Sequence, residues 1–187
     1  MPDNSWQEHV GERVRVFQII VGALFAGCLV FLAVAVVVVR QAAPAAGQGL
    51  EILTLVAVGE AAATIFACAI VPTIMVRRGR QAILRGDSPV PMSPGLAERM
   101  ADFYAKTGDA GKLMVLYQAK TIVAAAMLEG AAFFALVIYL LGQDRVSLAL
   151  GVLLSVGVGL HMPTRSGVIR WIDGQLLLME QERREQW

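Results

Sequence analysis

The sequence predicts an all-α membrane protein: four transmembrane helices arranged as two hairpins, with a short cytoplasmic amphipathic helix and a helical C-terminal tail. Three observations carry this reading. Four long apolar stretches occupy most of the 187 residues. Hydrophobic residues make up 57% of the chain and mean hydropathy is +0.62, above the ~45–50% apolar content of soluble domains. Finally, lysine and arginine gather in the tails and one central segment.

The spans run from about Val16 to Val39, Ile52 to Val76, Leu113 to Leu141 and Val146 to Met162, within a single membrane domain covering residues 1–187. Each approaches or exceeds the ~20 residues that cross ~30 Å of hydrocarbon at ~1.5 Å per residue. In that medium only a helix satisfies every backbone group within one segment. Leu24-Phe25-Ala26-Gly27-Cys28 looks like a lipoprotein processing site, but the apolar run continues to Val39, so an uncleaved signal anchor is expected.

Orientation follows from the basic residues. Arg77, Arg78, Arg80, Arg85, Arg99, Lys106 and Lys112 lie between spans 2 and 3, and Arg13, Arg15, Arg165, Arg170, Arg183 and Arg184 lie in the tails. The other two connections hold only Arg40 and Arg145. The positive-inside rule then places both termini and residues 77–112 in the cytoplasm of an inner-membrane protein, with residues 40–51 and 142–146 as outer turns.

Within residues 77–112, Asp87-Ser88-Pro89 and Pro91 predict a turn. Ser93 is placed as an N-cap with Pro94 first in a helix over 94–107, and Gly108 is the expected stop. Leu96, Met100, Phe103 and Tyr104 share one face, which suits the inner membrane surface or the bundle itself. The tail, 163–187, reads as a helix with Trp171 at the interface and a solvated, solubilising charged end.

Val71-Pro72-Thr73 and Met162-Pro163-Thr164 sit at matching inner ends of spans 2 and 4, and Gly27 and Phe31 echo Gly130 and Phe134, which suggests a duplicated hairpin. Gly151, Ser155 and Gly159 in span 4, and Gly59, Ala63 and Ala67 in span 2, repeat every four residues. Such faces let helices approach closely in lipid, within a compact bundle, at a homo-oligomer or membrane-protein interface, or in both.

The residues that bear on function are few. Glu60 and Glu129 lie mid-span, each nine residues (~13 Å) from the charged end of its helix, so they reach similar depth on neighbouring antiparallel spans. They form either a proton or cation site sharing a proton, or hydrogen-bonded ties between helices helped by Thr54, Thr64 or Ser155. Gln18, Gln118, Lys120 and His161 form a candidate inner polar cluster, with Lys120 expected to snorkel to the interface. His161 alone holds no metal or haem, and His9 is isolated. Cys28 and Cys68 lie in apolar stretches and read as packing residues. No HExxH, GxSxG, P-loop or His/Cys cluster is present, and net charge is +1 without a basic-aromatic patch. An enzyme, a cofactor and a nucleic-acid partner are therefore not expected. A non-enzymatic accessory or scaffold bundle is the first expectation, and a proton- or cation-coupled transport component the second.

Gly59-Glu60-Ala-Ala-Ala-Thr-Ile-Phe and Leu128-Glu129-Gly-Ala-Ala-Phe-Phe-Ala-Leu-Val-Ile-Tyr139 resemble the proteolipid c and K subunits of rotary ATPases. The resemblance implies a proton-carrying carboxylate at Glu60 and Glu129. It covers about twenty residues, and the first helix of each hairpin lacks that family's glycine ladder. More broadly, the chain is similar to small four-span bacterial membrane proteins.

Overall fold

The computed structural model describes residues 6–42, 50–91 and 93–185. Most of the expected outer turn at 40–51, and the side chains of His9 and Leu96, lie outside the described residues. Every regular element among the described residues is helical: α1 (Trp6–Gln41), α2 (Leu50–Leu84), α3 (Pro94–Gly142), α4 (Arg145–Leu160) and α5 (Arg165–Glu185). Three helices, α1 to α3, are long and apolar enough to cross a membrane, and a fourth span arises if α4 and α5 count as one broken segment.

The helix ends have local causes. At the end of α2, Gly86 takes φ 87°. Its N–H bonds Ile83 O (3.0 Å) and the Asp87 N–H bonds Ala82 O (2.9 Å), the paired bonds of a Schellman stop. α2 therefore runs about two turns past the expected limit at Val76. Pro72 sits inside it, where it removes one backbone donor without ending the helix. The expected stop at Gly108 is a break, with φ 58° and ψ −139°, after which α3 resumes. That conformation is open essentially to glycine alone. α4 begins at an Asp144 cap, and α5 follows Pro163-Thr164. The two Pro-Thr pairs thus differ: one lies within a continuous helix and the other between two helices, so they do not mark equivalent ends of a repeated hairpin.

Packing divides the chain into two compact units. The first comprises residues 1–19, 72–121 and 163–187. Its core joins Val14, Ile83, Leu113, Met114, Leu116, Val168, Ile172 and Met179. Val168, Ile172 and Met179 form the buried stripe of α5. A Cβ added to Gly79 would lie 2.6 Å from the Leu116 side chain, so α2 and α3 approach closely there. The α5 end is not merely solvated as expected. Arg80 pairs with Glu182 (2.6 Å) and bonds Gln175 (3.3 Å), and Arg183 pairs with Asp109 (2.7 Å). These partners come from α2 and α3, which sequence spacing could not foretell.

The second unit comprises residues 20–71 and 122–162. Its core is built of small side chains: Cys28, Ala61, Ala125, Ala131 and Ala132, with Leu128, Leu154 and Val158. Phe31 and Phe133 meet edge to face with centroids 5.1 Å apart.

Candidate functional site

In the second unit the two glutamates occupy different surroundings. Glu60 is exposed on α2, and its Oε1 accepts a long hydrogen bond from Thr64 one turn on (3.5 Å). Glu129 is half-buried on α3, with Oε1 3.5 Å from where a Cβ on Gly27 of α1 would stand and with Cys28 close by. No hydrogen bond or ion pair links the two carboxylates among the described residues. Thr64 bonds Glu60 within α2 and ties no second helix to it. Thr54 and Ser155 act elsewhere: the Thr54 hydroxyl donates to Asp144 (3.2 Å), and the Ser155 hydroxyl to Gly151 O (2.7 Å).

The face Gly151, Ser155, Gly159 is used within its own unit. A Cβ on Gly151 would lie 2.6 Å from the Leu136 side chain, and one on Gly159 3.1 Å from Phe25. Ser155 is buried. α4 therefore packs its glycine face against α3 and α1. The corresponding face of α2 differs: Gly59 and Ala63 are exposed, and nothing lies within 4 Å of a Cβ built on Gly59.

The members of the candidate inner cluster each take a separate partner. Gln18 Nε2 donates to Pro163 O (2.9 Å). The Nδ1 of His161 lies 2.8 Å from Gly157 O and must carry the proton, because the carbonyl only accepts. Gln118 is half-buried. Lys120 packs against two aromatic rings. Its Nζ lies 4.7 Å from the Tyr117 ring centroid and 4.3 Å from that of Trp171, and these two rings meet at 5.1 Å. Tyr117 and Lys120, three residues apart on one helix, were a legible pair. Trp171 was not, because only packing of α5 brings it there.

Two further clusters escaped sequence reasoning. Arg13 stacks on Phe103 (3.8 Å) and donates to Met100 Sδ (3.5 Å), so the face of residues 94–107 is engaged by α1 within the first unit. Asp144 receives the N–H groups of Val146 (3.1 Å) and Ser147 (2.8 Å) and the hydroxyls of Ser147 (2.9 Å) and Thr54. An Asp just ahead of an apolar run was a readable cap signal.

Among the described residues no three His, Cys, Asp or Glu side chains converge as metal ligands. Fold and site together define an all-helical protein with helices suited to crossing a membrane. No family model matches the chain, and no curated protein or solved structure matches it either.

Proposed function

We propose that this chain is a four-span inner-membrane protein with both termini and residues 77–112 in the cytoplasm, acting as a non-enzymatic accessory or scaffold bundle. The observation that carries this reading is the outward face of α2. Gly59, Glu60 and Ala63 are exposed there, whereas the matching face of α4 is already covered by its own chain. A carboxyl facing hydrocarbon mid-span is costly, on the order of 3 kcal/mol on insertion scales, and a neighbouring helix on this face would lower that cost. Small residues beside Glu60 let such a helix come close. The distribution of Lys and Arg supports the orientation.

The test is association in native-lipid nanodiscs, measured by cross-linking and co-purification. Gly59→Leu should reduce association while thermal stability stays unchanged. Unaltered association would remove α2 as the contact face.

A second reading, a proton- or cation-coupled transport component, is favoured by the half-buried placement of Glu129 against Gly27. Reconstituted liposomes under an imposed potential separate the two. The scaffold expects no proton flux in wild type or in the Glu60→Gln, Glu129→Gln double variant. Flux in wild type that the double variant abolishes would establish transport instead.

A further inference from the structure

Lys120 and Trp171 form part of the wall of a cavity of about 220 Å³, completed by Pro72, Thr73 and Val76 of α2, entirely within the first unit. We propose that this cavity binds the phosphodiester headgroup of an anionic phospholipid. The Lys120 ammonium is half-buried, with two aromatic faces against it. Among the described residues no carboxylate pairs with it and no acceptor takes any of its N–H groups. Aromatic faces attract a cation but do not replace the three acceptors an ammonium seeks. A half-buried ammonium with no counter-ion in the chain gains from an anion that supplies those acceptors.

The rest of the cavity selects among anions. Pro72, Val76 and Trp171 offer apolar walls to a glycerol backbone. The volume lies below the ~300–1,000 Å³ of ordinary ligand pockets, which suits a headgroup whose acyl chains stay outside. Arg77 follows Thr73 by one turn on the same face of α2, and both Arg77 and Arg78 are exposed. They would repel the ammonium of a zwitterionic lipid and favour a headgroup of net negative charge.

This inference rests on the membrane reading but not on association through α2. The purified full-length chain is examined by native mass spectrometry and thermal melting with phosphatidylglycerol, with phosphatidylcholine of the same acyl chains, and with inorganic phosphate. Wild type should retain phosphatidylglycerol and melt at higher temperature with it, and should respond to neither alternative. Lys120→Gln should weaken that retention about tenfold, the worth of a charge-assisted hydrogen bond. Lys112→Gln, which removes the same charge two turns earlier on α3, should leave it unchanged. Thr73→Leu, which fills the cavity and keeps the charge, should also weaken it and covers the case in which the Lys120 variant does not fold. Equal retention in wild type, Lys120→Gln and Thr73→Leu overturns the site. A melting shift reproduced by inorganic phosphate overturns the lipid as its occupant. A chain that alkaline carbonate strips from membranes fails the membrane reading itself, whereas a retained chain indifferent to phosphatidylglycerol fails only this proposal.

Discussion

Asp144 shows how much one side chain at a helix start can organise. Its carboxylate caps α4 through two backbone N–H groups and reaches α2 through Thr54. Partial burial pushes this carboxyl up, but the Ser147 and Val146 N–H groups and the Ser147 and Thr54 hydroxyls outweigh it and hold the group below the ordinary aspartate value. A depressed folded-state value means stability that is present above the unfolded value of ~3.9 and is lost as pH falls through the folded one. Wild type should therefore lose melting temperature below about pH 4, and Asp144→Ala should flatten that acid limb. At neutral pH the same variant should cost about 1 kcal/mol, the usual worth of an N-cap, read from thermal melts in detergent. At Gly86 and Gly108 the backbone itself is the constraint, since φ is positive at both. Gly108→Ala should destabilise by about 1–3 kcal/mol, because ψ −139° combined with that φ excludes a side chain. No loss on melting would show that the break relaxes.

At the scale of elements, packing distinguishes faces that composition makes look alike. The four-residue repeats of α2 and α4 are equivalent as sequence, yet only the α4 repeat meets Leu136 and Phe25. Gly151→Leu should therefore lower thermal stability sharply, on the order of the 1–3 kcal/mol of an overpacked core, whereas Gly59→Leu should not. A melt of both variants under one condition checks the contrast. α5 is held by Arg80–Glu182 and Arg183–Asp109 in addition to its apolar stripe. Arg80 is the better buried partner, and its Nε has no hydrogen-bond partner among the described residues. Glu182→Gln should speed limited proteolysis of α5 while leaving the rest of the chain protected. Unchanged cleavage would mean that the apolar stripe alone secures the helix.

For the whole molecule, orientation is the first property to test. Ser88 is exposed in the connection between α2 and α3, so Ser88→Cys should react with a membrane-impermeant maleimide only after the cells are opened. Native Cys28 is buried and Cys68 hydrogen-bonds Ala124 O (3.6 Å), which limits background labelling. Labelling of intact cells would reverse the orientation argued from Arg77, Arg78, Arg80 and Arg85. The helices were legible because apolar length and terminal residues are local properties: the start of α3 at Pro94 and the break at Gly108 follow from proline and glycine backbone limits. The candidate sites were legible only as residue types. Glu60 and Glu129 could be placed at one depth by helical rise, but rise says nothing about rotation, and the two side chains have different neighbours.

By itself, the sequence determined that this protein is helical, where its apolar stretches lie and where its basic residues cluster. These depend on hydropathy, capping and backbone sterics within a few residues along the chain. Tertiary structure alone decided that Trp171 meets Lys120, that Glu182 meets Arg80, that Asp144 holds Thr54, and which glycine face is covered. Those contacts join residues far apart in sequence, and only the rotation and packing of whole helices bring them within a few ångströms.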